Sequence, residues 1–156
     1  MQLEAGMTAP DFTLRNQDNV EVRLGWFRGR SSALLVFYPF AFSRICTGEM
    51  RELRDGLGTY TDAGVEVLAI STDPPYALKA YAQTEGYEFA LLSDFWPHGA
   101  VAQKYGVFNE SAGMAVRGTF LVDTGGILTF CEINERGQVR DQSAWRRAAE
   151  AVTGTA

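Results

Sequence analysis

Two thiols are the side chains best suited to covalent chemistry, and their surroundings differ. Cys46 lies in Tyr38-Pro39-Phe40-Ala41-Phe42-Ser43-Arg44-Ile45-Cys46-Thr47-Gly48-Glu49, where an apolar run meets a proline, then a hydroxyl residue, then a helical pattern. Only the thiolate form of a cysteine is a strong nucleophile. The first turn of a helix offers free N–H groups and the positive end of the dipole, and both favour that anion. With Ser43 as N-cap, Cys46 is the third helical residue, and the Ser43 hydroxyl is expected to cap the Cys46 N–H or reach its sulfur. Pro39 is expected to hold the preceding turn rigid and keep water from the thiol. The layout suits a cysteine-based redox enzyme. Spacing alone reads Cys46 equally well as a small buried residue, so its neighbours must decide.

The elements that would position Cys46 follow from hydrophobic periodicity. Phe12 and Leu14, then Val20, Val22 and Leu24, flank Asn16-Gln17-Asp18-Asn19 as a β-hairpin, with a helical turn or loop at Trp26-Phe27. Ala33–Tyr38 is a continuous apolar run, as expected of a strand buried on both faces. Cys46, Met50, Leu53 and Leu57 recur on one face of the helix that follows. Val65–Ser71 reads as a second buried strand. Asp73-Pro74 reads as a helix start, with an N-cap acceptor and Pro at N1. Leu78, Tyr81 and Ala82 give that helix its inner face, and Gly86 closes it. A short strand at Phe89–Leu92, a turn at 93–97 and a short helix at Gly99–Tyr105 come next. Residues 118–122 and 127–133 form an antiparallel hairpin around Asp123-Thr124-Gly125-Gly126. A last helix follows Asp141, with Trp145, Ala148, Ala149 and Val152 on one face and Gly154 beyond. This order predicts an α/β, thioredoxin-like sandwich with an N-terminal β-hairpin extension, in one domain over residues 1–156.

Composition narrows the class. The chain has 156 residues, 46% of them hydrophobic and 21% charged, which suits one globular domain with a real core. Its net charge of −5 argues against nucleic acid or an anionic membrane as the main partner. Arg28/Arg30 and Arg146/Arg147 read as solvated faces. No apolar run is long enough to cross a membrane, and the N-terminus lacks the pattern of a signal peptide. Two cysteines in a chain of this length are no disulfide framework, so a reducing cytoplasm is the expected location. One histidine and two distant cysteines are a poor zinc set, and no metal or cofactor is expected.

The neighbours of Cys46 decide between the two readings. Pro39, Ser43 and Cys46 form Pro-x-x-x-Ser-x-x-Cys, Glu49 follows three residues later, and Arg117 stands in Val116-Arg117-Gly118-Thr119-Phe120. This set resembles the peroxiredoxin family, in which the cysteine is peroxidatic and an arginine from a late strand reaches it. The likeness runs from Ala9-Pro10-Asp11-Phe12 to the final helix. Ser93-Asp94-Phe95-Trp96-Pro97-His98-Gly99 and Tyr105-Gly106-Val107-Phe108-Asn109-Glu110 make it most similar to the AhpE-type one-cysteine branch. Ser43 departs from the commoner threonine, keeping the hydroxyl and losing the methyl. The resemblance implies reduction of hydrogen peroxide and organic hydroperoxides through a Cys46 sulfenic acid. It implies that Arg117 stabilises thiolate and developing charge, that Ser43 hydrogen-bonds the peroxide, and that Glu49 orients Arg117. It also implies a homodimer.

Resolution of the sulfenic acid needs another thiol. Arg51 stands where a resolving cysteine five residues after Cys46 would be. Cys131 shares a strand face with Ile127, Thr129 and Ile133 and is read as structural. A one-cysteine mechanism is therefore expected, with an external low-molecular-weight thiol or redoxin as reductant. Phe40, Phe42, Trp96 and Phe108 either line an apolar mouth or serve as core and dimer contacts. Three other readings compete. A thioredoxin-like disulfide reductase needs a Cys-x-x-Cys pair, and Glu49 fills its second position. A cysteine protease would have to recruit His98, which lies in a turn. A peroxide sensor or a redox-inactive thioredoxin-fold binding protein remains as an alternative from another class.

Overall fold

The computed structural model describes residues 2–135 and 138–153. Strand β3 (Ser32–Phe37) is buried at every position and sits inside a seven-stranded sheet. It pairs in parallel with β4 (Val65–Ser71) and antiparallel with β8 (Arg117–Val122). Its continuous apolar run is explained by helices covering one face and the rest of the chain covering the other. Strand β5 (Ala90–Ser93) extends the sheet in parallel beyond β4. The hairpin of β1 (Thr13–Arg15) and β2 (Glu21–Arg23) closes that edge through a single antiparallel register pair, Arg15 opposite Ser93. Strand β9 (Leu128–Asn134) pairs antiparallel with β8 at the other edge.

Strand alternation sorts the core into two clusters. Leu34, Val36 and Tyr38 pack with α1 (Arg44–Asp55), α2 (Leu57–Asp62), α3 (Pro75–Glu85) and α5 (Gln142–Thr153) through Met50, Leu53, Tyr60, Leu78, Tyr81 and Trp145. Leu35 and Phe37 pack on the opposite face with Phe12, Val101, Tyr105 and Phe120, where α4 (Ala100–Lys104) lies. The arrangement is the expected α/β sandwich with its N-terminal hairpin. Gly154 lies outside the described residues.

The structure departs from the sequence reading at two local features. Asp73 does not cap α3: the N-cap is Pro74, and Pro75 is the first helical residue. With two prolines in succession, the second takes the N1 place and frees the Asp73 carboxylate for other work. The structure also has a short ladder, β6 (Phe108–Asn109) with β7 (Met114–Ala115), that no periodicity could reveal in two-residue strands. Gly99 at φ 71° stands under the Phe108 ring, where any Cβ would collide with it. Gly118, beside Arg117, has no room either, since a Cβ there would lie 2.6 Å from Val107 Cγ1.

Candidate active site

The turn from β3 into α1 sets the position of Cys46. Phe42 takes a left-handed backbone at φ 68°, which costs a bulky residue roughly 1–3 kcal/mol and needs support from its surroundings. Phe42 packs against Tyr81 in a tilted contact, with ring centroids 4.8 Å apart. Asp73 bolts the same turn to the sheet, its Oδ2 accepting from the Ala41 N–H (2.8 Å) and the Ser71 hydroxyl (2.7 Å). The next turn is pinned where the Thr47 and Tyr81 hydroxyls meet at 3.0 Å. Burial raises the Tyr81 phenol above its ordinary pKa, and that of Tyr38 still further. Asp73 was expected only as a cap, and the Asp-Pro pattern that drew attention to it pointed to the wrong role.

Ser43 is the N-cap of α1 and Cys46 the third helical residue, as expected. The Ser43 side chain does not cap. Its hydroxyl donates to the Phe40 carbonyl at 3.0 Å, so the expected bond to the Cys46 N–H is absent. The sharp turn at Phe42 brings that carbonyl within reach, and the hydroxyl hydrogen goes there. The first intrahelical bond runs from the Thr47 N–H to the Ser43 carbonyl at 2.9 Å, so the N–H groups of Arg44, Ile45 and Cys46 lie ahead of the helical ladder.

Cys46 is fully buried, and Arg117 Nη2 donates to its sulfur at 3.4 Å. Arg117 opens β8, so the extended neighbour of β3 delivers the guanidinium to the end of the strand from which the Cys46 turn departs. Glu49 is also buried, one turn after Cys46. Its carboxylate lies 3.6 Å from Arg117 Nε, an ion-pair distance without a hydrogen bond. Its hydrogen bonds go instead to Arg140, from Nη2 at 2.8 Å, Nε at 3.0 Å and the backbone N–H at 3.1 Å. Arg140 Nη1 reaches the carbonyls of Phe37 and Gly118 and the hydroxyl of Thr119, and its guanidinium lies over the Trp145 ring. Gln142 donates to the Glu49 carbonyl at 2.9 Å. The expected Glu49-to-Arg117 hydrogen bond is thus replaced by a chain of charge: thiol, Arg117, Glu49, Arg140. Arg140 was missed because an arginine in a polar segment before a helix reads as a surface cation.

The cleft above the thiol is about 500 Å³ and is lined by Pro39, Phe40, Ser43, Arg44, Ile45, Met114 and Arg117. It brings together four of the expected features: a rigid proline, a hydroxyl, a helix N-terminus and Arg117. Of the four aromatics considered for an apolar mouth, only Phe40 lines it. Trp96 borders a separate groove with Pro75 and Phe95, and Phe108 packs on His98. Both ring nitrogens of His98 face carbonyls, Phe95 at 3.2 Å and Gly113 at 2.7 Å, so it ties two loops together away from the thiol. Another cleft, about 420 Å³, lies at the far end of β3 and β8 around Leu24, Ala33 and Val122, and has no thiol in its lining.

Cys131 packs on the opposite face of the sheet from Cys46. Both are free thiols. Burial first, and then the charge of Glu4, push the Cys131 thiol up, the reverse of activation. A Cys46–Cys131 bond within one chain would have to pass through the sheet. No helix among the described residues is long and apolar enough to cross a membrane. No group of His, Cys, Asp and Glu able to hold a metal occurs among them either.

Comparison with known proteins places this geometry among relatives. A family model described as the AhpC/TSA family matches residues 5–131. The chain is 53% identical over 151 residues to alkyl hydroperoxide reductase E of Mycobacterium tuberculosis, covering 97% of this chain and 99% of that one. It is 39% identical to peroxiredoxin Bcp of Escherichia coli over 130 residues, 80% of this chain and 81% of that one. The crystal structure of Enterococcus faecalis AhpC superposes with a TM-score of 0.89 at 28% identity, covering 99% of this chain and 95% of that one.

Proposed function

The chain belongs to the AhpC/TSA family, and on that premise we propose that it is a thiol-dependent peroxidase of the one-cysteine type in which Cys46 is the peroxidatic residue. The observation that carries the assignment of Cys46 is the Arg117 guanidinium 3.4 Å from its sulfur beneath an open cleft. The Cys46 thiolate attacks the terminal oxygen of ROOH. The S–O bond forms as the O–O bond breaks, the sulfur is oxidised to sulfenic acid, and RO⁻ takes a proton and leaves as water or alcohol. Arg117 donates to the sulfur before reaction and to the peroxide oxygens as charge passes onto them. Ser43, whose hydrogen is committed to Phe40, keeps its oxygen lone pairs for the peroxide O–H. The N–H groups of the first turn of α1 complete the cradle. Glu49 and Arg140 act through Arg117, as positioning residues.

An external thiol then attacks the sulfenic acid, forming a mixed disulfide and releasing water, and a second thiol returns Cys46 to its reduced form. A low-molecular-weight thiol or a redoxin is the reductant we propose, since Cys131 lies across the sheet. A cytoplasmic location follows from the need to keep both thiols reduced. The exposed aromatics Phe42, Tyr76, Phe95 and Trp96 support a homodimer.

The test is consumption of hydrogen peroxide and an organic hydroperoxide with a dithiol supplied. Turnover should disappear in Cys46→Ser and persist in Cys131→Ser. Turnover retained in Cys46→Ser would overturn the assignment.

A further inference from the structure

Arg44 lines the cleft above Cys46, is exposed, and has no hydrogen-bond or ion-pair partner among the described residues. It is the first residue of α1, and no acidic residue stands in that first turn. A cation at this position faces the positive end of the helix dipole, so it works against the helix rather than for it. Of the other exposed arginines, Arg51 is held by Glu85, whereas Arg28 and Arg30 also have no ion pair among the described residues but do not line this cleft, so what sets Arg44 apart is its place in the cleft wall. In a chain of net charge −5, the cleft walls carry two arginines, Arg44 and Arg117, and no carboxylate. Arg117 is buried against the thiol, while Arg44 stands free at the rim. Between them lie the apolar surfaces of Phe40, Ile45 and Met114. A local rule broken without structural compensation, beside a reactive group, marks a position kept for a ligand.

We propose that Arg44 is a specificity-determining residue that receives the carboxylate of an anionic organic hydroperoxide while its –OOH group reaches Cys46 beneath. This deepens the peroxidase reading and rests on it. The apolar body of the substrate lies against Phe40, Ile45 and Met114, and the reaction at sulfur is the one already given. Arg44 takes no part in bond making. It raises the local concentration of anionic substrate and orients it. Hydrogen peroxide, which has neither body nor charge, gains nothing from it.

The experiment compares cumene hydroperoxide with its para-carboxylate, two oxidants of the same chemistry that differ by one charge. Stopped-flow oxidation of Cys46 gives a second-order rate constant for each in wild type, Arg44→Gln and Arg44→Glu, at low and high salt. In wild type the carboxylate should react faster than the neutral peroxide, and salt should erode that advantage. The carboxylate-to-neutral rate ratio should fall by about three- to tenfold in Arg44→Gln, the range of an exposed ion pair plus steering, and further in Arg44→Glu. A ratio that stays the same in all three proteins overturns the proposal, whether or not the individual rates change. A wild-type protein that neither of these peroxides nor hydrogen peroxide oxidises would instead sink the peroxidase reading itself.

Discussion

Replacing Arg140 with methionine is the severest probe of the charge chain behind the thiol. The Arg140 and Glu49 side chains are 0% and 1% exposed, so neither can turn to water when the other is removed. Arg140→Met deletes the two side-chain hydrogen bonds from Arg140 to Glu49, leaves the backbone one, and strips the Nη1 donor from the Phe37 and Gly118 carbonyls. Breaking a buried ion pair from one side costs about 3–5 kcal/mol. For a domain whose whole stability is roughly 5–15 kcal/mol, the variant should be folded but fragile. Urea unfolding of the reduced protein measures this, with Trp145, which lies under the Arg140 guanidinium, as a fluorescence reporter. The same change leaves the Glu49 carboxylate with Arg117 as its remaining cation, 3.6 Å away with an unpartnered Nε. Glu49 should close on that Nε and draw Arg117 from the sulfur, slowing Cys46 oxidation by on the order of 10–10²-fold. A double-mutant cycle with Glu49→Gln isolates the pair, and its coupling should exceed about 1 kcal/mol. Arg140→Met within about 1 kcal/mol of wild type, or a cycle additive within roughly 0.5 kcal/mol, would refute the reasoning.

Other perturbations test separate parts of the site. Asp73→Ala removes the acceptor for the Ala41 N–H and the Ser71 hydroxyl; we expect a loss of about 1–3 kcal/mol in urea unfolding and slower Cys46 oxidation. Ser43→Ala should cost only about 0.5–1.5 kcal/mol of stability, because one hydrogen bond to Phe40 is lost, yet slow peroxide reaction more than that loss suggests in stopped-flow measurements. Burial raises the Asp94 carboxyl above its ordinary value despite the Ala102 and Val101 N–H groups it accepts from. A raised folded-state pKa means that its stabilising contribution is full below the ordinary aspartate pKa and is lost as pH rises through the folded value. Wild-type stability relative to Asp94→Asn should therefore decline across that window in unfolding experiments at stepped pH, and a constant difference would contradict the burial.

Periodicity carried the reading of the fold a long way. The apolar runs at 33–38 and 65–71 are strands buried from both sides, and the Cys46, Met50, Leu53 face of α1 is inward, because burial leaves its period in the sequence. What failed was side-chain partnership. Ser43 has the residue type and position of a capping residue, but a left-handed Phe42 presents a carbonyl to its hydroxyl first. Asp73 carries a helix-start signal, and the second proline moved the start past it. Glu49 and Arg117 were recognised through family resemblance rather than pattern, and the arginine that holds Glu49 most closely, Arg140, comes from a loop with no period to betray it. Partners distant in sequence leave no local trace, whereas faces do.

The central claim, that Arg117 makes Cys46 a peroxide-reducing thiol, is tested most directly by the rate of Cys46 oxidation by hydrogen peroxide. Stopped-flow fluorescence should show fast, stoichiometric oxidation in the wild-type protein. In Arg117→Met it should be slower by about 10²–10³-fold, as for removal of one preorganised donor to developing negative charge. A rate within twofold of wild type in Arg117→Met would contradict the account.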